Sequence, residues 1–420
     1  MIFGKGSTNA TLTNEDVQQL VAQACVPLPL DGKRVLVIIP DGTRTAPIPL
    51  FFRVLYEQLG QRVAQLDYLI ALGTHPPMPS EAIDRLVGVP ASTRAEQYPN
   101  VRIFNHHWSQ PEMLRTIGVI SRQEAASLTG GLLSDEVPVT LNRMIFDYHQ
   151  LIICGTVFPH EVAGFSGGAK YLFPGIAGPD IINFTHWLGA LVTSMHTIGV
   201  KDTPTRRVIH RAADFLQCPL LCIAFVLKGQ ELHGLYIGPH SEAFSAAADL
   251  SAQLNVITVD RPFSRVLSMP STIYDDLWTA AKAMYKTEPA TADGGEVIIY
   301  APHITEVSYT HGKLIDQVGY HVKDYFLKQW NRFKDVPGSI LAHSTHVKGT
   351  GTYDPATNTE TPRIQVTLAT GIPEERCRRI NLGYLDYRDI NPQVWQGRDQ
   401  ESILVVPHAG EIFYRANNLM

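Results

Sequence analysis

Cysteine is scarce, with five in 420 residues, at Cys25, Cys154, Cys218, Cys222 and Cys377. Their scatter and odd number exclude a disulfide framework and fit free thiols in a reducing compartment. Cys218 and Cys222 are spaced like two metal ligands, but a structural zinc needs two more nearby and none follow. Long apolar runs are also missing. No stretch reaches the ~18 uninterrupted apolar residues that mark a membrane helix, so no membrane span is expected. The opening MIFGKGSTNATL has no apolar signal core, and a cytoplasmic location is expected. Positive charge is not in excess: 35 Lys and Arg stand against 40 Asp and Glu, a formal net charge of -5. Without a basic excess or run, a nucleic-acid partner is not expected. Short basic clusters such as Arg206-Arg207 read as solvated faces.

The apolar content is spent in short bursts. Runs at 34–40 (RVLVIIP), 65–75, 149–160, 220–228, 295–304 and 402–412 read as strands. They are continuous rather than alternating, which suits parallel strands covered on both faces. Helical patterns fall between them, at 48–61, 204–216 and 241–254. The expected class is therefore α/β, with two domains, mostly parallel sheets and the active site in the cleft between them. The stretch 259–271 reads as the crossing. This gives an N-terminal cofactor-binding domain over 1–262, rejoined by 400–420, and a C-terminal domain over 263–399. The polar, turn-rich stretch 346–364 reads as a surface loop.

Chemistry gathers just past the strands. The run ending at Pro40 is followed by Asp41-Gly42-Thr43-Arg44, a turn with a carboxylate and a guanidinium fork. The next ends in Gly73-Thr74-His75, and a third in Pro159-His160. In open α/β sheets ligands bind beyond the carboxyl ends of strands. Histidine is the usual proton carrier near neutral pH. Ser166, Gly167 and Gly168 form a loop whose amides can cradle a phosphate, although GFSGGAK lacks the P-loop spacing. Lys170 closes that loop in an apolar setting, where a lysine becomes a nucleophile. His186 follows in NFTH. In YDDLWTAAKAMYK, which reads as a helix, Trp278 and Lys282 share a face one turn apart.

Taken together, DGTR, GTH, PHEVAGFSGGAK, NFTH and a helix ending in lysine resemble the nickel-dependent lactate racemases, which use a nickel-pincer nucleotide. The resemblance runs through nearly the whole chain. It implies that Lys170 carries the cofactor, a pyridinium-3-thioamide-5-thiocarboxylic acid mononucleotide with nickel, through a thioamide. It implies that His186 is the protein ligand of the nickel and that Asp41 to Arg44 contact the cofactor. His75 and His160 become the two acid/base groups. One removes the hydroxyl proton of a 2-hydroxy acid, hydride passes from its 2-carbon to the cofactor, and the planar 2-keto acid is reduced again from its other face. Trp278, Thr279 and Lys282 become the substrate-binding residues. Two departures point to a substrate larger than lactate: the family's Tyr-Gln-x-x-Lys is Trp278-Thr279-Ala280-Ala281-Lys282 here, and its GTHR is Gly73-Thr74-His75-Pro76. The expected partners are the substrate and the proteins that make the cofactor, and a homo-oligomer is compatible with the sequence. A competing reading is a nucleotide or sugar-acid binding protein of the same fold without turnover. A zinc or iron hydrolase would need a carboxylate ligand beside His186, for which Asp180 is the close candidate.

Overall fold

Arg34–Ile39 (RVLVII) is a run that only a strand buried on both faces accommodates. In the computed structural model, which describes residues 1–417, it pairs in parallel on each side. Val37 lies opposite Tyr68 of Gln65–Ile70 and opposite Ile152 of Gln150–Thr156. Leu220–Lys228 continues the parallel array, Ile103–Asn105 ends it, and Glu231–Gly238 and Phe3–Gly6 add an antiparallel edge. The result is a seven-stranded sheet. One face is covered by Asn14–Cys25, opened by a capping box of Thr13 and Asp16, and by Ile48–Leu59. Phe51 of the second helix stacks on Phe225 of the sheet at 4.7 Å. Truncating a buried ring of this kind costs about 3–5 kcal/mol.

The chain divides into two units. The first holds Met1–Phe158, Phe165–Ile182 and Arg206–Leu254; the second holds Pro159–Gly164, Asn183–Thr205 and the chain from Asn255 onward. The second has its own sheet of five strands, all parallel: Gly383–Tyr384, Gln365–Thr370, Thr291–Ala301, Phe263–Pro270 and Ile403–Ala409. Its core runs from Val266 and Val297 to Leu368 and Val406. The mixed α/β class and the mostly parallel sheets match the sequence reading, but two details differ. The stretch read as a crossing contains Phe263–Pro270, an interior strand whose polar Ser264, Arg265 and Ser268 mask its apolar face. Ile403–Ala409, expected to rejoin the first domain, instead pairs with that strand, Val266 opposite Leu404. The turn-rich 346–364 holds a hairpin, Gly351–Asp354 with Thr359–Pro362. Among the described residues no helix is long and apolar enough to cross a membrane.

Candidate active site

Because Arg34–Ile39, Gln65–Ile70 and Gln150–Thr156 are parallel, their carboxyl ends share one edge of the first sheet. Asp41 and His75 leave that edge from neighbouring strands and meet. The Asp41 Oδ2 is 2.5 Å from the His75 Nδ1. The other carboxylate oxygen accepts the Thr43 amide at 3.1 Å and the Thr43 hydroxyl at 2.7 Å. Arg44 in turn donates to the Thr43 hydroxyl at 2.9 Å. Burial alone would push the Asp41 carboxyl up, but His75, Arg44 and Thr43 outweigh it and hold the group well below the usual carboxylate range. An ionised Asp41 accepts the Nδ1 proton, so a neutral His75 presents a bare Nε2. DGTR thus works first as an orienting device for the histidine. Gly42 has only the Met78 methyl near the place of a side chain, so a close ligand approach is sterically open there.

The GFSGGAK loop is built differently from the sequence expectation. Gly167 and Gly168 have φ of +84° and +58°, which favours glycine. A side chain at either would strike Val157 or Phe244, so the glycines serve the loop's own packing. The Ser166 amide donates to the Phe158 carbonyl, and its hydroxyl joins the Thr156 carbonyl and the Phe158 amide. The Ser166 amide and hydroxyl are thus engaged within this segment. The surprise is Arg206. Read as a solvated face, it is 2% exposed and grips the carbonyls of Gly167, at 3.1 Å, and Phe165. Its guanidinium lies 4.0 Å from the Phe244 ring, and burial lowers its pKa to about 9. Lys170, half-buried, follows this pinned segment.

In the second unit His160 is buried at 3% exposure. The Val162 amide donates to its Nδ1 at 3.1 Å, and the Glu161 Oε2 lies 3.5 Å from the same nitrogen. Burial would raise the Glu161 carboxyl, but His160, Lys282 and Lys286 hold it well below its ordinary range. Lys282, also buried, donates to the Thr279 carbonyl at 3.1 Å and sits 4.8 Å from the centre of the Tyr274 ring. The helix expected over 274–286 is broken at Ala281 into two single turns, Leu277–Ala280 and Lys282–Tyr285. Trp278 is stacked on His343 at 4.0 Å and tilted against His311 at 4.4 Å. Thr279 differs from expectation. Its amide and hydroxyl both go to Asp276, the residue that caps this turn, so its hydroxyl proton is engaged there. His186 is half-buried on Pro179–Val192.

Sequence reasoning found the histidines but missed Glu161 and Arg206. The signal for Glu161 was its place directly after His160; Arg206 gave none. Among the described residues no group of three or more His, Cys, Asp or Glu side chains is arranged to hold a metal ion. A metal bound at His186 would have to take its other ligands from a bound group.

A family model described as the lactate racemase N-terminal domain matches residues 14–199. Curated lactate racemases of Thermoanaerobacterium thermosaccharolyticum and Lactiplantibacillus plantarum are 23% and 22% identical over 277 and 276 residues. Each match covers 64% of this chain and 60% of the relative, so the chain spans less than two thirds of their length. A crystal structure of a Thermotoga maritima protein superposes with a TM-score of 0.90 at 32% identity, covering 98% of this chain and all of that one. The lactate racemase apoprotein of T. thermosaccharolyticum has the same fold, with a TM-score of 0.71 at 19% identity over 97% of this chain and 94% of its own.

Proposed function

Since the chain belongs to the lactate racemase family, we propose that it is an isomerase that racemises or epimerises 2-hydroxy acids through a 2-keto acid intermediate. The observation that carries this reading is the Asp41–His75 pair, 2.5 Å apart, which fits a histidine to act as a base at Nε2. His160 is its counterpart. The Val162 amide donates to its Nδ1, so in the neutral ring Nε2 carries the proton, and His160 suits the acid role while His75 serves as base. A proton leaves the substrate hydroxyl for His75, and His160 returns one to the oxygen of the opposite enantiomer. The pair then holds the protonation state that the reverse reaction needs.

When bound, the family's nickel-pincer nucleotide would supply the hydride acceptor. Lys170 would carry it, His186 would ligate its metal, and Arg44 and Thr43 would face it. Lys282 gives the cation for the substrate carboxylate, with Trp278 as an aromatic wall. A substrate larger than lactate stays part of the proposal. Its support is Pro76 in place of a cation beside His75; Thr279, engaged by Asp276, adds nothing to it. The test follows chiral composition of lactate, malate, phenyllactate and gluconate with cofactor-loaded protein. Racemisation lost in His75→Ala and His160→Ala with cofactor content unchanged supports the reading. Tight binding of hydroxy acids without turnover by loaded protein would favour the binding-protein alternative.

A further inference from the structure

The amino ends of the parallel strands in the first sheet frame a groove of about 780 Å³. It lies where Arg34–Ile39, Gln150–Thr156 and Leu220–Lys228 begin, on the edge of the sheet opposite Asp41 and His75. Its size suits a small organic ligand. Its walls are apolar and aromatic. Phe215 lies flat against the backbone of Leu114–Ile120 because Gly118 has no side chain; a Cβ there would come within 2.3 Å of the ring. Phe146 forms part of the wall and holds the Arg115 guanidinium 4.3 Å above its ring.

The charge pattern is one-sided. In a chain of net charge -5, no Asp or Glu lines this groove, while Lys33 and Arg115 do. Among the described residues neither cation has a carboxylate partner. His149 accepts the Arg34 amide at Nδ1, 3.1 Å away, so in the neutral ring its Nε2 carries a proton to donate. An apolar trough with cationic donors and no acid matches one ligand chemistry, an anion attached to an apolar body.

We propose that this groove binds a small amphipathic carboxylate at a site separate from the candidate active site. Arg115, held in place by Phe146, and Lys33 meet the carboxylate, and the apolar body packs against Phe215 and Leu216. This reading does not rest on the racemase proposal. The probe is 4-phenylbutyrate, with the neutral 4-phenylbutanol as control, measured by calorimetry and ligand-observed NMR on the full-length protein. The acid binds saturably and the alcohol at least tenfold more weakly. Arg115→Gln and Lys33→Gln, both at exposed positions, each weaken the acid about tenfold with melting temperature unchanged. Leu216→Trp fills the trough and abolishes binding. Excess lactate leaves the affinity unchanged. Equal binding of acid and alcohol, displacement by lactate, or no saturable binding overturns the proposal. So does a concentration-dependent dimer in sedimentation that Leu216→Trp abolishes, which would give the groove to a second copy of the chain.

Discussion

Replacing Asp41 with Asn keeps the size and the turn but reverses the proton's position on His75. The Asn amide nitrogen has no lone pair to offer Nδ1. It donates instead, Nδ1 becomes the acceptor, and the ring proton moves to Nε2, where a base needs a lone pair. A positioned base is worth about 10²–10⁴ in rate, and a wrong tautomer forfeits most of it. The expected outcome is a fall in kcat of that order with KM changed less than threefold, because no substrate contact is removed. The variant also loses one charge-assisted hydrogen bond, worth about 1.5–3 kcal/mol. At about 2–4 °C per kcal/mol for a unit of this size, the melting temperature drops by roughly 3–12 °C. The assay is initial-rate racemisation by chiral chromatography across pH, paired with calorimetry. The loss should fall on kcat rather than KM, which a purely structural role would not produce. Full kcat in a folded Asp41→Asn would refute the assignment of His75 as a base oriented by Asp41.

Mass spectrometry of cofactor-loaded protein should place the added mass on Lys170, and Lys170→Ala should lack it; His186→Ala should keep the mass but lose nickel by elemental analysis. Thr279→Gln should lower stability by about 1–3 kcal/mol, since it removes a hydroxyl held by Asp276 and overfills a buried site; a stable variant with altered substrate preference would return Thr279 to the specificity set. Glu161→Gln should lower the melting temperature, because it removes the negative charge that His160, Lys282 and Lys286 stabilise. Burial lowers His343 to about 3 and His346 to about 4, so both stay neutral in the folded chain while the unfolded chain takes up protons below about 6.5. Stability is then full above that value and falls as pH drops toward 4, by about 2 kcal/mol per histidine at pH 5; His346→Gln should flatten the melting temperature between pH 7 and 5.

The parts of this molecule legible in the sequence are those written locally. The apolar run 220–228 coincides with the strand Leu220–Lys228, and the periodic run 48–61 holds the helix Ile48–Leu59, which stops two residues short of its end. DGTR, GTH and PHE announced polar groups beyond strands. What escaped depends on register and on distant packing. Nothing near Asp41 says that its partner is His75; that follows from two strands lying side by side. Arg206 sits in a segment with the composition of a surface helix, and only the fold turns it against Phe244. Phe263–Pro270 hid as a crossing because its polar residues interrupt the apolar run. Thr279 invited a role in specificity because a side chain's hydrogen-bond partner cannot be read from its spacing.

The pairing of Ile403–Ala409 with Phe263–Pro270 also sets an order of assembly. During synthesis the first unit has all its strands once Leu254 has emerged, and domains fold as units as they appear. The second unit has no such early point. Its segment Pro159–Gly164 is made first, but the lysines that face Glu161 come more than a hundred residues later, and the last strand of its sheet later still. For most of translation, His160 and Glu161 therefore wait on an unfinished segment while the first unit is already complete. A ribosome stalled before residue 403 should display a protease-resistant first unit with the His160 segment still open to cleavage.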